Sequence, residues 1–295
     1  MKKFASAIAA LAAASAVALA ADQPQTRSLG ESLYSISVGD VTMTIDAAHG
    51  AKILSFKRGD AEIISQLKMF NAFGSTFWTS PQSEWNWPPV AEYDRLEYQV
   101  EQTPTSLVME GKTSERFGYS IRKKFEADPS DEAIVVTYSI VNRSDQTRKV
   151  APWEITRVMG AGLIFFAAKS SDITPAGLME FNDKYGAAWY SFDEAKENRK
   201  INADGKGWLA YEGNNLLLVK KFPDLKPSQP APAEAEIQVY VNQGTSFIEL
   251  ESQGAYSELA PGESLNYSVK WYLVPSQGKG VPSKKLLKTV NKLVK

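Results

Sequence analysis

The chain contains no cysteine. A disulfide framework, a thiolate nucleophile and any zinc or iron–sulfur site built on thiolates are therefore excluded. It has one histidine, His49, among 295 residues. Multi-histidine metal sites fall away with that count, and a serine–histidine–acid triad would have only His49 to draw on. A surplus of charge is missing too: 33 Lys and Arg stand against 34 Asp and Glu, a net charge of −1. Proteins that bind nucleic acid by neutralising phosphates carry a basic surplus, so no nucleic-acid partner is expected. There is no Gly-x-Gly-x-x-Gly and no phosphate loop. The sequence thus calls for no nucleotide, flavin or haem, and for no other cofactor or metal.

The N-terminus is unlike the rest. Lys2 and Lys3 precede an uncharged, alanine-rich stretch from Phe4 to Ala20, and Ala18-Leu19-Ala20 has the small-x-small pattern of a signal-peptidase site. Residues 1–20 are expected to be a signal peptide, leaving a periplasmic or secreted protein. The stretch is short and weakly apolar for a membrane span, so no integral span is expected in the mature chain. No fixed-period repeat and no clear linker divides the body. One domain is expected over about residues 30–275. Oligomeric state is not fixed by the sequence.

That body reads as β-rich. Apolar residues alternate at Tyr34/Ile36/Val38, Val41/Met43/Ile45, Ile134/Val136/Tyr138/Ile140, Ile237/Val239/Val241 and Leu265/Tyr267/Val269/Trp271/Leu273. Turn signals such as Val38-Gly39-Asp40, Asp128-Pro129-Ser130 and Pro261-Gly262 separate the runs. Many short strands at close spacing predict an all-β fold, a large antiparallel β-sandwich. No helical period appears before residue 283. Ser283 is then a candidate N-cap for a basic amphipathic helix over 283–295, with Leu286, Val290, Leu293 and Val294 on one face. Such a helix either docks on the sandwich or lies on a membrane surface.

The 7 Trp, 12 Tyr and 13 Phe are not spread evenly. Phe70 to Trp87 interleaves Phe73, Phe77, Trp78, Trp85 and Trp87 with Ser, Thr, Asn and Gln, and carries one charge, Glu84. The segment is too polar and too interrupted by Pro and Gly to suggest a strand, and a long loop is expected. Its mixture suits sugar, because indole faces stack on apolar ring faces while amides and acids take the hydroxyls. The alternative is a loop pinned by buried tryptophans.

Thr245 to Gln253 reads as a strand with Ile248 and Leu250 on the core face. Phe247, Glu249, Glu251 and Gln253 then share the other. Two carboxylates roughly 6–7 Å apart on one face raise each other's pKa if that face is a cleft, which suits acid–base work. On an open face they are ordinary surface acids.

Phe247-Ile248-Glu249-Leu250-Glu251-Ser252-Gln253, then Leu259-Ala260-Pro261-Gly262-Glu263 and a strand ending Trp271-Tyr272-Leu273, resembles the C-terminal signature of the aldose 1-epimerase (galactose mutarotase) superfamily. Asp46 to Phe56 resembles that family's opening hairpin, and Val141-Asn142-Arg143-Ser144-Asp145 its central strand and turn. The segment Ser80 to Pro89 is similar to an exported branch of mutarotase-like proteins. The resemblance implies a large β-sandwich with a sugar cleft on one sheet, and a sugar or glycan as partner. It also implies Glu251 as the base that takes the anomeric proton. The family's catalytic histidine has no counterpart: Val150-Ala151-Pro152-Trp153-Glu154 stands there instead. Glu154, held protonated, or His49 is the acid that remains, while a salt bridge to Arg157 or Arg148 is the other reading of Glu154. Gln82 or Glu84 stands where the family's sugar loop has His and Arg. Lys220 and Lys221 are the nearest candidates for a charged ligand group. Expected binding residues are Trp78, Gln82, Glu84, Trp85, Trp87, Trp153 and Glu249.

Three functions follow: an epimerase acting at an anomeric carbon, a carbohydrate-binding protein without turnover, and an envelope scaffold. A glycan lyase or hydrolase on the same frame also uses paired carboxylates.

Overall fold

The computed structural model describes residues 24–69 and 72–295. The expected signal peptide, and Phe70 and Asn71 of the tryptophan-rich segment, lie outside the described residues. The first strands are β1 (Gln25–Gly30), β2 (Leu33–Val38), β3 (Val41–Asp46), β4 (Lys52–Arg58), β5 (Ala61–Glu62) and β6 (Ser75–Ser80). A single helical turn, α1 (Ala91–Asp94), precedes β7 (Gln99–Gln102), β8 (Ser106–Glu110), β9 (Tyr119–Asp128), β10 (Ala133–Asn142) and β11 (Arg148–Met159). Next come β12 (Leu163–Phe166), β13 (Asn182–Lys184), β14 (Ala187–Ser191), β15 (Arg199–Ala203), β16 (Trp208–Gly213) and β17 (Leu216–Lys221). The last elements are β18 (Ile237–Val241), β19 (Phe247–Gln253), β20 (Ser257–Leu259), β21 (Ser264–Pro275) and α2 (Lys284–Leu293).

Two sheets face each other. One runs β1-β2-β3-β4-β6-β11-β19-β18-β15, with β5 on β4 and β20 on β11; the other runs β13-β14-β12-β16-β17-β21-β10-β9-β8-β7. Their pairings are antiparallel. This is the large antiparallel β-sandwich that the alternation predicts, closed by a short C-terminal helix. The alternating residues of β10, Ile134, Val136, Tyr138 and Ile140, are all buried between the sheets. Phe77 from the first sheet stacks on Tyr138 at 4.4 Å, and Phe56 meets Trp271 edge-on at 5.5 Å. These aromatic contacts stabilise beyond the area they remove from water.

The polar stretch Ser75–Ser80 is not part of a loop. It is β6, a central strand of the first sheet, and every residue in it is buried. Burial of so polar a strand is tolerated because its hydroxyls are matched. Ser75 donates to Glu154 (2.7 Å), Thr76 to Asp94 (2.9 Å) and Ser80 to Gln253 (2.7 Å). Each partner is remote in sequence, so hydropathy alone does not reveal the strand.

Ser283 caps α2 by accepting from the Lys285 N–H at 3.1 Å. Val290 is fully buried, and Leu286, Leu287, Leu293 and Val294 rest on the core. Lys284, Lys285, Lys288 and Lys292 point outward. The apolar face of the helix is thus spent on docking to the sandwich. No helix among the described residues is long and apolar enough to cross a membrane.

Candidate functional site

The first sheet lays two rows of side chains across its outer face. Strand register dictates them, because residues paired across antiparallel strands point the same way. One row is Arg157 on β11, Glu249 on β19, Tyr240 on β18 and Lys200 on β15. The next is Thr76, Ile155, Glu251, Gln238 and Asn202. Trp78 and Trp153, directly paired, stand one step further along. Above them the segment after β6 folds back and places Gln82 and Trp87 at the rim.

The result is a cleft of about 590 Å³, lined by Trp78, Trp87 and Trp153 and, among its polar residues, by Arg157, Glu249 and Asn242. Trp78 meets Trp153 edge-on at 5.3 Å and Trp87 at 6.3 Å. Trp87 is 57% exposed, an unusual cost for an indole and one that a ligand would relieve. Trp78 is locked from behind: its indole N–H donates to Asp94 Oδ1 at 2.9 Å, and the same oxygen lies 3.0 Å from Lys52 Nζ. Burial pulls the Lys52 amine below its ordinary value, against the pull of Asp94.

Charge on the floor is paired. Arg157 holds Glu249 at 2.7 Å, with the guanidinium 2% and the carboxylate 13% exposed. Lys200 reaches Glu251 at 2.9 Å and lies 4.5 Å from the centre of the Trp153 ring. Glu251 also accepts from the Trp153 indole N–H at 2.7 Å through Oε2, while its Oε1 is buried with no partner. Burial pushes this carboxyl up to about 7; Lys200 opposes the rise and Glu249 adds to it. A carboxyl at that value exchanges a proton near neutral pH. Glu251 sits just beneath the cleft floor, behind Lys200 and Trp153, so access to it depends on the partly exposed lysine.

The sequence-predicted residues divide. Trp78, Gln82, Trp87, Trp153 and Glu249 line the cleft, and Glu251 underlies it. Trp85 does not line it: this residue is buried behind the wall, against Trp78 at 5.5 Å, with its N–H on the Thr79 carbonyl. Glu84 does not line it either; it is exposed in a short 3-10 turn, where partial burial raises its carboxyl. Glu154 points the other way. Period-two alternation on β11 sends Trp153, Ile155 and Arg157 to the cleft face and Glu154 into the core between the sheets. There its partners are Lys220, Ser75 (2.7 Å) and Thr156 (2.5 Å). Neither Arg157 nor Arg148 is the counter-ion. Lys220 is consumed by this pair, its amine pulled down by burial against the carboxylate's pull, and Lys221 meets the C-terminal Lys295 carbonyl. Neither lysine supplies a charged ligand group to the cleft. His49 sits on an exposed turn, 2.8 Å from Asp46, and is not among the residues lining the cleft.

Arg157, Lys200, Tyr240 and Asn242 also line the site, and sequence reasoning missed them. For Arg157 a signal exists, the odd-numbered face shared with Trp153. Lys200 and Tyr240 are brought in only by the pairing of β15 with β18 and of β18 with β19.

No protein-family model and no curated protein sequence matches the chain. Solved structures do. A putative aldose 1-epimerase from Escherichia coli K12 superposes with a TM-score of 0.57 at 15% identity, covering 82% of this chain and 99% of its own. A galactose mutarotase-like protein from Clostridium acetobutylicum gives 0.54 at 11%, covering 86% and 98%. A putative aldose 1-epimerase from Klebsiella pneumoniae gives 0.56 at 13%, covering 89% and 84%. The chain has the fold of the aldose 1-epimerase and galactose mutarotase-like β-sandwich proteins.

Proposed function

We propose that this is an exported carbohydrate-binding protein that holds a sugar or glycan in the tryptophan-walled cleft. One arrangement carries the reading: the indoles of Trp78, Trp87 and Trp153 line a single cavity together with Arg157, Glu249 and Asn242. An apolar ring face and a ring of hydroxyls need those two surfaces at once. The solved proteins of this fold that are named as putative aldose 1-epimerases point the same way. Export is supported by Lys2-Lys3 and the alanine-rich stretch after them.

A second reading, acid–base epimerisation at an anomeric carbon, is favoured by one observation. Glu251 is held at about 7, with an unpartnered oxygen directly under the floor. In that reading Lys200 swings off Glu251 when a sugar enters, and Glu251 takes the anomeric hydroxyl proton as the bond from the anomeric carbon to the ring oxygen breaks, the ring oxygen taking its proton from solvent in the open cleft. The partner acid is not Glu154, which is shut in the core with Lys220.

Proton NMR of a monosaccharide panel with the purified protein separates the readings. Line broadening of at least one sugar is expected. Anomeric exchange faster than buffer, lost in Glu251→Gln, establishes turnover; broadening without it establishes binding alone. Absence of both, with monosaccharides and with defined oligosaccharides alike, refutes the sugar cleft and leaves the sandwich as a scaffold.

A further inference from the structure

The same sheet face carries a second lobe, of about 620 Å³, beside the cleft. Gln82 and Lys200 line both lobes. We propose that the second lobe is a saccharide subsite, and that the groove takes a neutral oligosaccharide of two or more units. This rests on the reading of the cleft as a sugar site.

Register places the two linings side by side. Lys200 and Tyr240 are cross-strand partners and line the first lobe. Asn202 and Gln238, the next pair on the same face, line the second. Two residues along a strand advance roughly 7 Å, a step on the scale of one sugar ring. The lobes therefore adjoin on a shared floor, with Gln82 and Lys200 at their junction, as sites for linked units of a glycan chain require.

Their chemistry differs in the way adjacent subsites do. The first lobe offers indoles and paired charges. The second offers amides, the Thr174 hydroxyl and one carboxylate. Gln238 donates to Asn202 (2.8 Å) and Glu234 (2.9 Å). Gln253 donates to Glu234 (2.9 Å) and Gln238 (3.0 Å), and accepts from Ser80 (2.7 Å). Glu234 is tied in turn to the Gln82 backbone N–H at 3.2 Å. Gln238 and Gln253 are buried, so this network holds the half-buried Asn202 and Glu234 in fixed orientations. Lys200, the one cation of the second lobe, is committed to Glu251. Preset amides and a carboxylate without a free cation suit sugar hydroxyls, and do not suit phosphate or carboxylate ligands.

Calorimetric titration of the full-length mature protein with a panel of defined α- and β-linked mono-, di- and trisaccharides tests this. Two or three new hydrogen bonds raise affinity by at least about tenfold from monomer to trimer in one series. Thr174→Trp, at the exposed edge of the second lobe, is expected to bring the trimer back to the affinity of the monomer. Asn202→Ala, which removes one polar contact, is expected to reduce the gain. Trp87→Ala weakens every member of the series by a similar factor. Equal affinity along every series, or a gain that survives Thr174→Trp, overturns the subsite and leaves the cleft reading standing. Binding of no panel member overturns both.

Discussion

Replacing Glu251 by Gln isolates the cost of keeping a carboxyl beneath the cleft floor. The group's ordinary value is 4.5, and burial holds it at about 7 in the folded protein. Below pH 4.5 both folded and unfolded chains hold the proton, and the folded state bears no penalty. Between 4.5 and 7 the unfolded chain gives it up while the folded chain keeps it. Stability is therefore lost as pH rises through the folded value. Integrated over the interval, the linkage is about 3 kcal/mol. Gln keeps the shape and the bond from Trp153 but does not titrate. Lys200 then loses its ion partner, and its side chain, 32% exposed, can rehydrate. Urea denaturation of both proteins from pH 4 to pH 8 reads the difference directly. Glu236, also raised to about 7, and Lys123, lowered to about 7, titrate in both proteins and cancel. The variant should gain about 3 kcal/mol on the wild type across that range. Parallel stability curves would refute the burial assigned to Glu251.

Lys220→Met leaves Glu154 between the sheets without its counter-ion, with the Ser75 and Thr156 hydroxyls as its remaining partners. It should cost about 3–5 kcal/mol in urea denaturation, and adding Glu154→Leu should recover most of that loss. Trp87→Ala removes a largely exposed rim, so thermal unfolding should be nearly unchanged while sugar affinity in calorimetry falls about tenfold. Val290→Asp puts a charge on the one fully buried position of α2. It should cost at least about 2 kcal/mol, with a small loss of helical signal in far-ultraviolet circular dichroism as the helix leaves the sandwich.

The fold was legible because most of its strands keep strict alternation. β10 and β21 announce themselves, and β19 separates Ile248 and Leu250 from Glu249 and Glu251 as the sequence suggests. β6 was not legible. Its serines and threonines look like loop, and only the remote partners Glu154, Asp94 and Gln253 make their burial affordable. Glu154 shows the opposite failure. Motif position drew it into the cleft, although alternation along β11 already sets it on the face opposite Trp153. The rest of the cleft floor, Lys200, Tyr240 and Asn242, depends on which strands become neighbours. That information lies in long-range pairing, beyond any local window of sequence.

The pairing of β21 between β10 and β17 bears on the order of events in time. β21 ends at Pro275, near the end of the chain, yet it occupies the middle of its sheet. Until it is made, β10 and β17 have no shared neighbour, and the second sheet remains two separate ribbons. Val136, facing Val269 across that pairing, waits for a residue more than a hundred positions downstream. Such long closures are slow and expose apolar ribbons in the meantime. The growing chain therefore cannot complete its sandwich before β21 has been made, and truncation ahead of β21 is expected to leave the second sheet as two ribbons with exposed edges.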